Sequence, residues 1–320
     1  MKPEYQPVDP AALKTYSIRD REHKAETDSF ARLTEPGCTA AEFIESLPNF
    51  LAANQFRSVV DAIAAARRAD RPVVFALGAH VVKVGCSPIV NDLIERGIVT
   101  AIAMNGATAI HDIEIAMVGQ TSEEVADTIH SGQFGMVEET ADLIGRALEH
   151  KEASNGFGRA LARVLTESKP VHLHHSILAT ALRVGIPVTV HVAVGTDTVH
   201  MLPAVDGAAL GRASMTDFRL LCAIVHDMGA AAGSNVGGTW CNIGSAVILP
   251  EVFLKAVAVA RNLGADLDPI HTANFDMIRH YRPGQNVIGR PVRPGHGHEI
   301  IGHHEILLPL LRQALIETIP

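Results

Sequence analysis

Histidine and carboxylate side chains follow an Asn-Gly pair at positions 105 and 106, in a spacing that suits proton transfer. Asn105-Gly106 ends an apolar run, and His111, Asp112 and Glu114 come soon after it. An imidazole gains or loses a proton near neutral pH, and a neighbouring carboxylate orients it or binds a ligand. We therefore predict that His111 is a catalytic acid/base group. The alternative for Asp112 is a structural one, as a helix cap.

Histidine is frequent in this chain, with 17 residues, and two groups are dense in it. Imidazole is a common ligand for zinc-type ions, so a metal-dependent hydrolase stays open as an alternative function. The spacing does not favour it, because no His-Glu-x-x-His motif occurs. We predict no metal ligand. The two groups are His172, His174 and His175, and His296, His298, His303 and His304.

The elements that must position these side chains repeat one pattern: an amphipathic helix, a glycine, and then an apolar run that ends in polar residues. Runs that are apolar throughout predict strands buried on both faces, as in a parallel sheet. Helices between parallel strands give a doubly wound α/β fold. The predicted strands are Pro72–Leu77, Ile98–Met104, Pro187–Val194, Ile243–Leu249 and Leu267–Ile270.

Polar residues recur where the predicted strands end, and ligands of doubly wound sheets bind at that edge. Asp197 and His200 follow the third strand, so we predict that both are catalytic, with Thr196 beside a cofactor. Each one alone could equally be a turn former or a cap. The residues at or after predicted strand ends are His80, Asn105, Asp197, His200, His271 and Asn274.

Composition bounds the classes of function. The net charge is −8 and no Lys/Arg run occurs, which excludes nucleic acid as the expected partner and favours a cationic small molecule or a basic protein. Apolar residues make up 47% of the chain, but no apolar run is long enough to span a bilayer. Four cysteines without a CxxC pair, and a polar amino terminus, predict a cytoplasmic protein.

One domain is predicted for residues 1–320, because no low-complexity linker interrupts the chain. Residues 1–37 are predicted to form an irregular arm, residues 39–70 two helices, and residues 70–318 the α/β core. The segment Thr121–Glu124 has the spacing of a capping box and predicts a helix start. Glycines cluster in residues 229–244, either to approach a ligand closely or to pack a tight crossover.

Several short motifs occur in the order typical of deoxyhypusine synthases, and the chain resembles that family over roughly residues 70–312. The motifs are Gly85–Ile89, Asn105-Gly106, Ile186–Val188 with Gly195–Asp197, Leu263–Asp266 with His271–Asp276, and Gly289–Leu311.

The resemblance implies a Rossmann-like NAD-binding fold, a homotetramer, and a small-molecule substrate. Enzymes of the family oxidise spermidine with NAD, form an imine on a lysine, and transfer the aminobutyl group. With the strand-end residues Asp112 and Thr196 added, the predicted cofactor-binding residues are Ser87, Asn105, Gly106, Asp112, Thr196, Asp197, Thr272, Ala273 and His303.

Two departures from the family affect the predicted chemistry. The imine-forming lysine falls on Arg290, and an arginine cannot form a Schiff base. The amine-binding acidic pair is replaced by Ile110-His111. A site with histidine and arginine in these places favours an anionic substrate, with Arg290 as its ligand.

The sequence therefore predicts an NAD-dependent, deoxyhypusine-synthase-like transferase or oxidoreductase with a diverged substrate. The first alternative is an aminobutyl transferase, a deoxyhypusine or homospermidine synthase, with Lys83 or Lys255 in the role of the imine-forming lysine. The others are the metal-dependent hydrolase and a nucleotide-binding protein without catalytic activity.

Overall fold

A parallel sheet of six strands forms the centre of the fold. The structure is a computed structural model that describes residues 3–319. The strand order is β3-β2-β1-β4-β5-β6, and every neighbouring pair is parallel. The strands are β1 (Val73–Leu77), β2 (Ala101–Asn105), β3 (Val188–His191), β4 (Thr239–Ile243), β5 (His271–Asp276) and β6 (Gly297–Ile301).

Helices connect the strands and cover both faces of the sheet. The α-helices are α1 (Ala40–Ser46), α2 (Leu51–Arg68), α3 (His80–Lys83), α4 (Ser87–Glu95), α5 (Gly106–Val118), α6 (Val125–Thr128), α7 (Glu138–Glu149), α8 (Phe157–Glu167), α9 (Ile177–Val184), α10 (Gly207–Asp227), α11 (Ile248–Asn262), α12 (Tyr281–Asn286) and α13 (His304–Thr318). The doubly wound α/β fold predicted from the apolar runs is confirmed. Within residues 3–319, none of these helices is both long and apolar enough to cross a bilayer.

Two apolar layers explain why the inner strands can be apolar throughout. On one face, Phe75 and Leu77 belong to a core with residues of α2, α4, α9 and α13. On the other face, Trp240 stacks on Phe253 of α11, with ring centroids 4.2 Å apart. All five residues of β1 are therefore buried, as expected for a strand covered on both faces.

The strand order changes direction between β1 and β4, and glycine residues allow the ends of these two strands to approach closely. A Cβ on Gly78, just after β1, would lie 1.9 Å from the carbonyl oxygen of Gly244, just after β4. No side chain fits at that distance, so both strand ends meet as bare backbone. The strand order reverses at this junction, and ligands of doubly wound sheets bind at the carboxyl edge of such a point.

The amino-terminal part and the helix predictions agree with the structure in most places. Residues 39–70, predicted to form two helices, contain α1 and α2. The described part of the arm, residues 3–37, contains only short 3-10 turns. Residues 1 and 2 of the predicted arm lie outside the described residues.

The positions predicted for the fourth and fifth strands were wrong. The apolar run predicted as the fourth strand, Ile243–Leu249, ends β4 and begins α11, and Leu267–Ile270 is the turn before β5. Both strands contain polar residues, which interrupt the apolar pattern used to predict strands. These residues can be buried because their side chains form hydrogen bonds inside the protein. Asn242 Nδ2 donates to Asn274 Oδ1 at 2.8 Å, and Thr272 Oγ1 donates to the Val287 carbonyl at 2.8 Å.

Candidate active site

A cavity of about 570 Å³ opens at the carboxyl edge of the sheet, beside the ends of β2 and β3. Its walls come from α3, α5, the loop between α5 and α7, the start of α7, and the loop after β3. The ionisable residues in its lining are Lys83, His111, Glu114, Glu123, Glu139 and Asp197. Four carboxylates face one lysine and one histidine, so the cavity attracts cations. This excess of carboxylates favours a cationic ligand, whereas the sequence predicted an anionic substrate.

Asp197 closes the amino-terminal end of α5. Its carboxylate lies against the first residue of the helix, where a Cβ on Gly106 would be 1.9 Å from Asp197 Oδ2. Gly106 therefore has to be glycine for the carboxylate to reach the helix end. Burial raises the pKa of Asp197, and the nearby His200 and the Ala107 amide reduce that increase.

His200 lies beside Asp197 without completing a hydrogen bond to it. The Gly195 amide donates to His200 Nδ1 at 3.1 Å, so in the neutral ring Nε2 carries the hydrogen. This Nε2 is 3.8 Å from Asp197 Oδ2, and both atoms are buried without a hydrogen-bond partner in the described chain. Buried polar atoms are rarely left unpaired, so this pair is suited to receive a polar ligand atom.

His111, five residues along α5 from Gly106, belongs to a second network that lines the cavity. His111 Nδ1 lies 2.5 Å from Thr121 Oγ1, and the Thr121 hydroxyl donates to Glu114. Burial alone would raise the pKa of Glu114, but the nearby His111 and the hydrogen bond from Thr121 outweigh it and lower the pKa below its usual value. Glu114 therefore stays ionised beside the imidazole.

Thr121 corrects the sequence prediction that it caps a helix. The following helix, α6, starts at Val125 and is capped by Glu124 instead. Sequence reasoning missed Thr121 as a site residue because a Thr-x-x-Glu spacing is also a capping signal. The available signal was on α5, where His111 and Glu114 are three residues apart and so share one helix face.

A further group of polar residues lies at the carboxyl edge of the sheet, near the junction of β1 and β4. Asp276, at the end of β5, has one carboxylate oxygen that accepts from the Met277 amide and another, Oδ2, that is buried and unpaired in residues 3–319. His304 is buried, and His80 lies beside it with ring centroids 5.5 Å apart. Burial, and then the neighbouring His304, lower the pKa of His80.

The histidine groups do not form a metal site within residues 3–319, where no cluster of three or more His, Cys, Asp or Glu side chains is arranged to hold an ion. His172, His174 and His175 contact one another as rings near the end of α5. His271, His296 and His298 stack at the amino-terminal edge of β5 and β6, away from the cavity.

The chain matches no protein-family model and no curated protein significantly, but its fold matches solved structures. The ternary complex of AgrE with ornithine and NAD+ matches with a TM-score of 0.53, at 14% identity, over 82% of this chain and 32% of AgrE. A conserved protein of proposed LOR/SDH type from Methanococcus maripaludis S2 matches with a TM-score of 0.52, at 14% identity, over 88% of this chain and 71% of that protein.

A proposed deoxyhypusine synthase from Entamoeba histolytica matches over 88% of this chain and 94% of its own length, with a TM-score of 0.51 at 11% identity. The chain has the deoxyhypusine-synthase-like fold. It spans about a third of AgrE, and likewise of the cyanobacterial arginine dihydrolase ArgZ. At these identities the deoxyhypusine-synthase-like fold is what the matches establish.

The deoxyhypusine-synthase-like fold brings part of the predicted site together. His111, Thr196 and Asp197 line the cavity, and His200 contacts Asp197 from the loop after β3. Gly106 lies against Asp197, and Asn105 caps α5 by accepting from the Thr108 amide at 2.9 Å. His303 lies at the carboxyl end of β6 with its side chain exposed.

Four predicted cofactor-binding residues lie where a ligand cannot reach them. Thr272 and Ala273 are fully buried in the middle of β5, because the strand starts four residues later than predicted. Ser87 is buried in the first turn of α4. Asp112 is buried as well, and its carboxylate accepts from the Ser176 hydroxyl and from two amides of α9.

Arg290, which was predicted to be catalytic, is exposed and is not part of the cavity lining. Helix α11 runs from the carboxyl edge to the amino edge, and Arg261 in its last turn donates to the Pro291 carbonyl at 3.0 Å. Arg290, next to Pro291, donates to Asn286. It therefore stabilises the return of the chain toward β6 and does not face the substrate cavity.

Proposed function

We propose that this chain is an NAD-dependent enzyme that removes a hydride from a carbon next to nitrogen in a small cationic amine. The observation that carries the proposal is the acidic cavity at the carboxyl edge of a sheet with the order β3-β2-β1-β4-β5-β6. This strand order is the one on which dinucleotides bind across the switch point. The shared fold of AgrE, solved with ornithine and NAD+, supports the same combination of cofactor and amine.

The residues at the carboxyl edge fit the hydroxyl groups of a dinucleotide. Asp276 Oδ2 and Asp197 Oδ2 are buried acceptors without a donor in the described chain, and they lie on opposite sides of the switch point. A ribose hydroxyl is a donor of the kind that such an acceptor requires. We assign Asp276 to a ribose hydroxyl of NAD and Asp197 to the substrate.

The cavity residues divide the proton chemistry between them. Bound NAD supplies a nicotinamide ring that accepts the hydride. Asp197 accepts hydrogen bonds from the ammonium group of the substrate and holds it at the end of α5. His111 Nε2 takes one proton from that ammonium, and the freed nitrogen lone pair then expels the hydride from the adjacent carbon, which leaves an iminium ion. Apolar lining residues, Ile110, Met117 and Phe134, limit access of water.

A second candidate keeps aminobutyl transfer, and the position of Lys83 favours it. Lys83 is the one lysine in the cavity lining, whereas Lys255 pairs with Glu251 on the surface of α11. A neutral Lys83 amine would attack the iminium carbon and release ammonia or an amine, which forms an imine on the enzyme. Borohydride reduction in the presence of spermidine and NAD would trap this adduct, and Lys83→Arg would abolish the trapping.

The decisive experiment measures NAD binding by calorimetry and then NADH formation with a panel of amines. We expect NAD to bind and one class of cationic amine to be oxidised. Asp197→Asn keeps the shape of the side chain but removes its charge, so it should raise KM for the amine without weakening NAD binding. Asp276→Asn is the matched control and should weaken NAD binding. A folded protein that binds no NAD would contradict the proposal.

A further inference from the structure

The imidazole of His111 is held on one side by a hydroxyl that belongs to a different element. Thr121 lies in the loop after α5, ten residues from His111, and its Oγ1 is 2.5 Å from His111 Nδ1. The same hydroxyl donates to a carboxylate oxygen of Glu114, one helical turn beyond His111. The three side chains form a continuous chain of hydrogen bonds along the cavity wall.

Glu114 sets the direction of this chain because its surroundings contain only donors. Its Oε1 accepts from the Thr140 hydroxyl at 3.4 Å, and its other oxygen accepts from Thr121. A carboxylate surrounded by donors remains an acceptor, so the single hydrogen of the Thr121 hydroxyl points to Glu114.

The orientation of the Thr121 hydroxyl then decides which ring nitrogen of His111 carries the hydrogen. Thr121 Oγ1 has used its only hydrogen and can only accept from His111, so Nδ1 must donate. In the neutral ring, Nε2 is then left with a lone pair. Nε2 has no hydrogen-bond partner within residues 3–319, and His111 lines the cavity.

The loop that carries Thr121 is held in a conformation that local preference does not explain. Ser122 has a positive φ of 70°, which is unfavourable for a residue with a side chain. The loop is also fixed at a second point, where the Gly135 amide donates to Glu123 at 2.8 Å. Backbone strain next to Thr121 is consistent with a loop shaped to bring its hydroxyl to His111.

We infer that Thr121 and Glu114 are positioning residues that fix His111 as the Nδ1–H tautomer, with the Nε2 lone pair facing the cavity. The inference rests on the proposed function for the use of Nε2 as a base, but the tautomer itself does not depend on it. Without the Thr121 hydroxyl, the ring can rotate and exchange its hydrogen between the two nitrogens. A fraction of molecules would then present Nε2–H, which cannot accept a proton.

The first test uses nitrogen NMR of the unliganded protein labelled at histidine, above the pH at which histidines titrate. The signals of His111 are assigned by their loss in His111→Gln. We expect wild type to show the Nδ1–H tautomer, Thr121→Val to show a mixture or the reverse, and Thr121→Ser to match wild type. Wild type with hydrogen on Nε2, or a Thr121→Val spectrum identical to wild type, would overturn the inference.

The second test compares the same variants in NADH formation, at a circular dichroism spectrum identical to that of wild type. At metal sites, loss of the residue that hydrogen-bonds to a metal-ligating histidine commonly costs about 10–100-fold in activity, and the Thr121–His111 contact has the same arrangement. We expect Thr121→Val to lower kcat by about that factor, with KM nearly unchanged, and Thr121→Ser to restore it. Unchanged kcat in Thr121→Val would show that the hydroxyl does not act through His111. If wild type shows no NAD-dependent turnover, the proposed function fails, and the NMR result still decides the tautomer.

Discussion

The chain has two histidine-rich regions at opposite edges of the same sheet, and they differ in the partners of the imidazoles. At the carboxyl edge, His111 and His200 lie beside carboxylates, a hydroxyl and a cavity. At the amino edge, His271, His296 and His298 stack on one another, and His271 Nδ1 is 3.2 Å from His298 Nε2. The comparison teaches that the number of histidines in a region indicates little about their role. The hydrogen-bond acceptors and donors around each ring indicate it instead.

The largest difference between the two regions is expected in catalysis. A general acid/base contributes about 10²–10⁴-fold to a rate, so His111→Gln should lower kcat by a factor in that range. His271→Gln at the amino edge is the matched substitution and should leave kcat unchanged. Steady-state NADH formation measures both. A comparable loss of kcat in the two variants would remove the distinction between the regions.

The next effect separates two carboxylates of α5, which lie two residues apart. Asp112 accepts three hydrogen bonds at the start of α9, so Asp112→Ala would leave three buried donors unpaired. We expect a loss of about 3 kcal/mol or more in the free energy of unfolding. Denaturant titration measures it.

Two controls accompany that measurement. Asp112→Asn retains one acceptor oxygen for the start of α9 and should lose less stability than Asp112→Ala. Glu114→Gln should alter turnover more than stability, because Glu114 faces the cavity. If Glu114→Gln unfolds as readily as Asp112→Ala, both carboxylates are structural.

The smallest effect concerns stability against pH at the amino edge. Burial, and then the neighbouring His296 and His298, lower the pKa of His271 to about 4 from an ordinary value of 6.5. The unfolded chain therefore binds a proton that the folded chain rejects between these values, so stability falls as the pH falls from about 6.5 to about 4.

His271→Gln should make that loss of stability less steep. The ring is partly exposed and solvent screens it, so we expect a difference of only about 1 kcal/mol between pH 7 and pH 4. Thermal unfolding of both proteins across this pH range measures it. An identical pH dependence in the variant would show that the lowered pKa of His271 does not cause this loss of stability.

The elements predicted correctly from the sequence are those whose hydrophobic pattern is uninterrupted. The strands β1, β2 and β3 were found from apolar runs, and their helices from glycine ends such as Gly185. β4 and β5 were misplaced because each contains a buried asparagine, which interrupts the apolar run. Asn242 of β4 and Asn274 of β5 are hydrogen-bonded to each other. The hydrophobic pattern of a single strand cannot show that its polar residue is paired with one in a neighbouring strand.

The site was predicted only where it follows a correctly placed strand. His111, Asp197 and His200 follow β2 and β3, and the structure brings them to one cavity or its wall. Thr272 and Ala273 were assigned to a strand end that is in fact a strand interior, and Arg290 does not line the cavity. Glu114 and Thr121 depend on a loop that returns to its own helix, which hydrophobic patterns do not encode.

The start of α5 has a consequence for the ligands that this edge of the sheet admits. In many doubly wound sheets a helix end after a strand attracts phosphate, because its free amides carry partial positive charge. Here the carboxylate of Asp197 already lies against Gly106 at that position. A phosphate group arriving there meets a resident negative charge, and four carboxylates line the cavity beyond it. Phosphorylated metabolites are thereby repelled from the space that a cationic amine would enter.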